Sequence, residues 1–463
     1  MVSDMADDTR QLKAGDAFLC MPRVKDKDAL IAQAISQGAA TVIVIGEQQG
    51  KCLPVACACL PDMVAAGAML RRWFETEAAQ VPCIGITGTD GKTSTAWMLR
   101  EALALHLGSA WSCGTLGWIK ALDDRIDLGN TTPSLMTLHT IYALACQANI
   151  GALVLEVSSH GIAQERIAGL PFTAAVWTTI GQDHLEYHGG FDAYSACKAS
   201  FIKGVVAQHG VVVCNADYPL IQQAMDKNQG AIYWYGKHDA DVNWTHEHAA
   251  TCFSTSQEKV CLSHAPAADF HAENLAAVVL LMHRVFDVAL ASFTTWDSQI
   301  TTPIGRLEPA NDESQVFIDY AHTAEGLKRC LQSARELSQA KLLLVFGCGG
   351  DRDKSKRAPM GKVAATYADT CWLTSDNPRS EQQEDIAKDV LKGMKDTQAQ
   401  VHIVDDRAAA ITQAVSSLAS GDVLVIAGKG HESYMEVQGK KLPWSDKAQA
   451  LAAMQKNGVK ACV

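Results

Sequence analysis

The sequence has no apolar run approaching the roughly 18 residues of a membrane-spanning helix. No apolar stretch that could act as a secretion signal follows its acidic start, "MVSDMADDTR". A membrane association is therefore not expected, and a cytoplasmic location is. Positive charge is scarce, with 40 Lys and Arg against 51 Asp and Glu and a net charge of -11. Such a surface gains nothing from counterion release, so no nucleic acid and no anionic membrane is expected as a partner. Internal repeats, low-complexity tracts and long runs of like charge are absent, which argues against a solenoid or a disordered tail. The 15 cysteines contain no CxxC framework. Their only cluster, Cys52, Cys57 and Cys59 in "CLPVACAC", fits no common zinc or disulfide spacing. All are read as reduced, partly buried thiols.

What is present is material for several cores. At roughly 100 to 200 residues per domain, the 463 residues point to three domains, and 48% hydrophobic against 20% charged residues describes a globular chain. Residues 1–80 hold a short α/β unit, with helical spacing in "DALIAQAISQGA" and a buried strand in "ATVIVIG". Residues 81–303 alternate apolar strands ("CIGIT", "GALVLEVSS", "AAVWTTI", "GVVVCNAD", "AIYWYG") with helices, and "HAENLAAVVLLMHRVF" closes the region. Residues 304–463 restart the alternation with "QVFIDYAH", "KLLLVFGCGG", "TCWLTSD", "VHIVDD" and "DVLVIAG". Both regions predict mainly parallel sheets covered by helices, whose ligands bind at the carboxyl ends of the strands.

The stretch "GITGTDGKTST", Gly85 to Thr95, follows a strand and precedes the helical pattern "AWMLREALALHL". That is the setting of a phosphate loop. Backbone N–H groups of Gly88, Thr89, Asp90, Gly91, Lys92 and Thr93 can face phosphate oxygens, Lys92 can neutralise them, and Thr93 or Ser94 can reach Mg²⁺. The glycine spacing is shifted, because Ile86 stands where the common pattern needs glycine. Glu156 ends an apolar strand, where a carboxylate is costly unless paired or metal-bound. Asp183, His184, Glu186 and His188 end another, and one or two of them are expected to reach metal or phosphate. Lys198 follows soon after, and so should either contact phosphate or have its charge reversed.

"TGTDGKTST", "NTTPS", "LEVSSHG", "DHLEYHG", "AYSACK", "HAENLAA", "GRLE", "DYAHT", "GCGGDRDKSKR", "SDNPR" and "GKGHE" occur in the order found in the Mur ligase family, and the chain resembles that family over about positions 83 to 446. The resemblance implies a small N-terminal UDP-sugar-binding domain, a central P-loop ATPase domain and a C-terminal Rossmann-like amino-acid-binding domain. It implies a monomeric, Mg²⁺- and ATP-dependent amide-bond-forming ligase of peptidoglycan synthesis, and so of cell-wall growth, cell shape and division. Its implied substrates are UDP-MurNAc-L-Ala-D-Glu and meso-diaminopimelate, joined through an acyl phosphate.

Carried over by position, Lys92, Glu156, His184 and Lys198 are the implied catalytic residues, with Thr93 or Ser94, Glu156, His184 and a carbamylated Lys198 at the metal. Asn274, Arg306, Asp319 and His322 match ATP contacts contributed by the closing domains. Thr9, Asn130, Thr131, Thr132, Ser158, Gln164 and Arg166 match the UDP-MurNAc-dipeptide contacts. Arg352, Asp376, Asn377, Pro378, Arg379, Gly428 and Glu432 match the diaminopimelate site. In it Arg379 is the fixed cation for the distal carboxylate, and a bound lysine would leave it unpaired. The departures from the family pattern are a short N-terminal domain with Thr9 for serine, Ala324 for proline, no proline after the arginine in "DNPRSEQQED", and Asp90 where Asn is also common. The alternatives are a lysine-adding ligase, a folylpolyglutamate synthetase and a nucleotide-binding regulatory homologue without catalysis. "SDNPR" argues against the first, and "NTTPS" with "LEVSSHG" against the second.

Overall fold

The computed structural model describes residues 4–22, 24, 26–46, 53–121, 124–225, 231–247, 250–264, 268–311, 315–395 and 398–457. Two compact units emerge: Met1–Asn243 with Phe253–Lys259 and Ala276–Trp296, and Trp244–Cys252 with Val260–Leu275 and Asp297–Val463.

The first unit opens with a four-stranded parallel sheet of β1 (Met5–Ala6), β2 (Ala17–Cys20), β3 (Thr41–Ile45) and β4 (Ala56–Leu60), in that order. Its larger sheet is built from β5 (Cys83–Thr87), β6 (Ala110–Gly114), β7 (Gly117–Ala121), β8 (Asp124–Ile126), β9 (Ala152–Glu156), β10 (Phe172–Trp177), β11 (Val211–Asn215) and β12 (Ile232–Gly236). The spatial order is β12-β11-β10-β5-β9-β6-β7-β8. Pairing is parallel from β12 to β6 and antiparallel across β7 and β8. β5 therefore lies between β9 and β10, where the chain changes its direction of winding. The crevice outside its carboxyl end is the ligand position of such a sheet. Strands β5, β9 and β10 are almost wholly buried, which explains why they read as continuous apolar runs and not as alternating ones.

Three short strands follow in the chain, β13 (Val242–Glu247), β14 (Ala250–Ser254) and β15 (Lys259–Leu262). The other unit holds β16 (Glu308–Pro309), β17 (Val316–Asp319), β18 (Leu342–Phe346), β19 (Thr370–Leu373), β20 (Gln400–Ile403) and β21 (Val423–Ala427), ordered β16-β17-β21-β18-β19-β20. All are parallel except β16. A separate antiparallel hairpin, β22 (Tyr434–Val437) and β23 (Lys440–Pro443), follows the last of them.

One expectation from the sequence is overturned. Cys252 and Cys261 are joined by a disulfide with Cα atoms 4.0 Å apart. A tight turn between β14 and β15 brings residues nine apart in sequence opposite each other, a pairing that a search for CxxC spacing does not detect. Cys57 and Cys59, on β4, are exposed and not partly buried. Cys52 lies outside the described residues.

Candidate active site

Strand β5 must turn sharply into the helix Lys92–Leu107, and two glycines are forced there. Gly88 has φ +155°, and a Cβ on it would come within 2.0 Å of Thr178 Oγ1. Gly91 caps the helix at φ +84°. Gly85 is different: it lies inside the strand, where a Cβ would meet the Phe201 ring at 2.4 Å. The first glycine of the shifted pattern thus serves core packing.

Lys92 Nζ bends back over the loop and donates to Gly88 O (2.9 Å) and Thr89 O (2.8 Å). Lys198 Nζ, from the helix Phe191–Ala207, donates to the same Gly88 carbonyl at 2.8 Å. Lys198 is 1% exposed. Burial, helped by the Lys92 charge, holds its ammonium well below the ordinary lysine pKa and so favours the neutral amine.

Glu156 projects from the carboxyl end of β9 and is 3% exposed. Its Oε2 accepts from Thr93 Oγ1 (2.9 Å) and Thr115 Oγ1 (3.1 Å), and its Oε1 from Thr115 N–H (2.9 Å). Burial raises its pKa, and the Lys92 charge and these hydrogen bonds oppose the rise. A buried carboxylate with hydroxyls beside it, and with no salt bridge among the described residues, is an oxygen donor set of the kind hard divalent cations take. Ser94 is buried in the same helical turn. His184 has φ +51° and packs on His160 (ring centroids 4.7 Å apart), with Asp183 Oδ2 3.4 Å from its Nε2. His160 also touches Tyr187 at 4.1 Å. Among the described residues His184 makes no hydrogen bond or ion pair to Glu156, so the two belong to separate networks.

The residues from "NTTPS" and "LEVSSHG" do come together. Thr132 Oγ1 donates to Glu156 O (2.8 Å) and Ser158 Oγ (3.0 Å), while Thr131 Oγ1 meets Thr115 Oγ1 at 3.0 Å. Arg166 Nη1 donates to Thr132 O (2.6 Å), and its Nε and Nη2 both reach Gln164 Oε1. Gln164 in turn donates to the Tyr187 hydroxyl at 3.1 Å. Asn130 is exposed beside this network. Thr9, buried after β1, forms no bond to it among the described residues. The nearby Asp7 is largely buried, which raises its pKa, and the Ser134 hydroxyl that caps the helix Leu135–Gln147 opposes the rise.

In the other unit, Asp319 ends β17 and accepts from Leu307 N–H and Ala321 N–H, both at 2.7 Å. Burial raises its pKa despite the nearby Arg306 charge. Arg306 lies over the Tyr320 ring (4.8 Å), which also packs against His322 (4.7 Å). Asn274 is buried on the helix Asp269–Val285, the helix from which His271 Nε2 bonds Arg306 O at 2.9 Å. Ala324 begins the helix Ala324–Leu337 behind the Thr323 cap, a position that proline would also tolerate, so the departure is structurally mild.

The loops after β19 and β21 build a third cluster. Lys429 is fully buried, and its Nζ donates to Asn377 Oδ1 (3.0 Å) and Glu432 Oε2 (2.9 Å). Asn377 Nδ2 donates to the same Glu432 oxygen at 2.9 Å. Gly428 has φ +112°, and a Cβ there would sit 2.6 Å from Asp376 Oδ2. Arg379, after Pro378, has partners within the protein itself. Its Nε donates to Glu436 Oε2 at 3.1 Å and its Nη1 to Gly350 O at 2.8 Å. Arg352 is exposed on the loop after β18.

Family models for the Mur ligase middle domain and for the Mur ligase glutamate ligase domain match residues 86–282 and 305–430. A protein of Ectopseudomonas mendocina named UDP-N-acetylmuramoyl-L-alanyl-D-glutamate–2,6-diaminopimelate ligase is 33% identical, over 98% of this chain and 95% of its own length. The chain belongs to the Mur ligase family. A second Mur ligase of the same name, from Chromobacterium violaceum, is 34% identical over 95% of this chain and 91% of its own. A solved structure bearing that name superposes with a TM-score of 0.71 at 26% identity, covering 99% of this chain and 95% of that one. The MurF ligase of Thermotoga maritima in complex with ADP has a TM-score of 0.62 at 17% identity, covers 98% of this chain and 97% of that one, and shares the fold.

Thr115, Tyr320, Lys429 and Glu436 escaped the sequence reading. Lys429 stood inside the quoted "GKGHE", and its central position was the available signal. Nothing in the sequence marked Glu436.

Proposed function

We propose that this Mur ligase joins meso-diaminopimelate to UDP-N-acetylmuramoyl-L-alanyl-D-glutamate, converting ATP to ADP and phosphate and giving the UDP-MurNAc-tripeptide of peptidoglycan synthesis. The observation that carries this reading is the end-to-end similarity to relatives named for that reaction, at 33% identity over 98% of the chain. The domains are taken as 1–80 for the UDP end, 81–303 for ATP and 304–463 for the amino acid.

In the first step the side-chain carboxylate of the D-glutamyl residue attacks the γ-phosphorus of ATP and ADP departs. The N–H groups of Gly88 to Thr93 and the Lys92 ammonium bind the phosphates, the ammonium leaving the carbonyls it now caps. Thr93 or Ser94, Glu156, His184 and Lys198 as its carbamate would hold Mg²⁺, which when bound neutralises phosphate charge. The neutral Lys198 amine adds to CO₂ and releases a proton, so a buried neutral amine becomes an anion. The depressed Lys198 pKa supports that step. Asn274, Arg306, Asp319 and His322 serve ATP. Thr9, Asn130, Thr131, Thr132, Ser158, Gln164 and Arg166 position the nucleotide-peptide. In the second step the amine of diaminopimelate attacks the acyl phosphate, phosphate leaves and an amide forms. Arg379 faces the distal carboxylate, Glu432 the distal ammonium, and Arg352, Asp376, Asn377, Pro378 and Gly428 shape the pocket. The protein acts as a monomer in the cytoplasm. Among its described residues no helix is long and apolar enough to cross a membrane.

Phosphate release from ATP, followed with the nucleotide-dipeptide plus either meso-diaminopimelate or L-lysine, tests the reading. Release that depends on diaminopimelate supports it. Release with neither amino acid sinks it, and release with lysine alone reassigns the substrate.

A further inference from the structure

Arg379 is stitched to the hairpin that follows the "GKGHE" loop. Its N–H donates to Glu436 O (3.1 Å), its carbonyl accepts from Gln438 N–H (2.8 Å), and its backbone sits at φ +52°. An isolated parallel bridge to Val437 completes the tie. The side chains then pair: Arg379 Nε to Glu436 Oε2 at 3.1 Å, both largely but not wholly shielded, with side-chain exposures of 19% and 26%. Lys441 lies directly across the hairpin from Glu436 and would be its ordinary cross-strand partner. Its ammonium sits instead over the Tyr434 ring, 4.1 Å away. Glu436 is thus left to Arg379, and the pair is internally neutral.

Resting on the ligase reading above, we propose that Glu436 is a specificity-determining residue that weakens the preference of the amino-acid site for a distal carboxylate. Two consequences of the geometry lead there. The Nε edge of the guanidinium is occupied and Nη1 already donates one hydrogen to Gly350 O, so an incoming carboxylate is left with Nη2 and the second Nη1 hydrogen, and in binding them approaches the Glu436 carboxylate. Like charges sharing one guanidinium repel. Conversely, lysine in the pocket leaves Arg379 still paired with Glu436, so the penalty for a buried unpaired cation is relieved. Both effects lower the ratio of kcat/KM for diaminopimelate to that for lysine.

Glu436→Gln tests this, because its amide oxygen can still accept from Arg379 Nε while the charge is gone and the main-chain ties remain. The ratio should rise roughly tenfold, the equivalent of about 1.4 kcal/mol, chiefly through a lower KM for diaminopimelate. Glu436→Met, which removes the acceptor as well, should move the ratio the same way. An unchanged or lower ratio in both variants overturns the proposal and makes Glu436 a mere prop for Arg379. Arg379→Met provides the control, since without the guanidinium the ratio should collapse. If the unsubstituted protein releases phosphate with neither amino acid, the ligase reading has failed. If it does release phosphate and only the ratio stays put, the role of Glu436 has failed.

Discussion

Single residues carry the sharpest expectations. Lys198→Ala removes a buried amine that shares the Gly88 carbonyl with Lys92. Phosphate release should drop by roughly 10²-fold or more, as for loss of an electrostatic stabiliser, with the folded structure retained by circular dichroism. Retention of near-normal turnover would remove Lys198 from the chemistry. Two buried histidines set an acid limit. His139 and His271 each donate from Nε2 to a carbonyl, Ala168 O and Arg306 O, at 2.9 Å, and burial pushes both pKa values down to about 4 from 6.5. Their neutral forms belong to the folded state, so as pH falls below 6.5 the unfolded chain takes up protons first. Stability is lost between pH 6.5 and about 4, and no more is lost through these two groups below that. Each contributes at most about 1.4 kcal/mol per pH unit. Urea midpoints at pH 7 and 5 should differ accordingly, and His139→Gln should reduce the difference. An identical pH slope in that variant would contradict the assignment.

At the scale of elements, Arg407 and Asp446 open two helices, Arg407–Ser416 and Asp446–Asn457, and form a wholly buried bidentate pair with Nε–Oδ1 and Nη2–Oδ2 distances of 2.8 and 2.7 Å. Arg407 also donates to Ser375 O and Ala427 O, at the roots of the two loops that build the amino-acid cluster. Arg407→Met strands a buried carboxylate and should cost about 3–5 kcal/mol by denaturant unfolding. Adding Asp446→Leu should recover most of that loss, and a double variant as weak as the single one would refute the account. The β14–β15 disulfide is an expectation at the same scale. Under denaturing, non-reducing conditions a thiol titration should find two fewer than the 15 cysteines, and a full count would show the pair to be reduced.

For the whole molecule, ligand linkage is the accessible measurement. ATP with Mg²⁺ at about 100 times its Kd should stabilise the folded chain by about 2.7 kcal/mol, seen as a raised Tm. Lys92→Ala should abolish most of that rise. A rise undiminished by the substitution would place nucleotide binding elsewhere than the loop after β5.

Much of this architecture was legible in the sequence. The apolar runs of β5, β9, β10, β11 and β12, and of β17, β18, β19 and β21, mark themselves because strands buried on both faces need no alternation. The loop at Gly88–Gly91 marks itself because positive φ selects glycine. Ordered motifs also named the residues around Glu156, Thr132 and Asn377. The strands β7, β8, β22 and β23 were not legible: they are short, and their register depends on the sheet or turn they join. Contacts between distant segments were beyond reach for a different reason. Arg379 meets Glu436 57 residues away, and Lys198 meets Gly88 110 residues away. Local chemistry fixes which residues must turn, which must be buried and which bear charge. Which charge faces which, and whether a lysine is an exposed cation or a buried amine, depends on the packing of segments far apart in the chain, and that packing sets the local dielectric and the partner together.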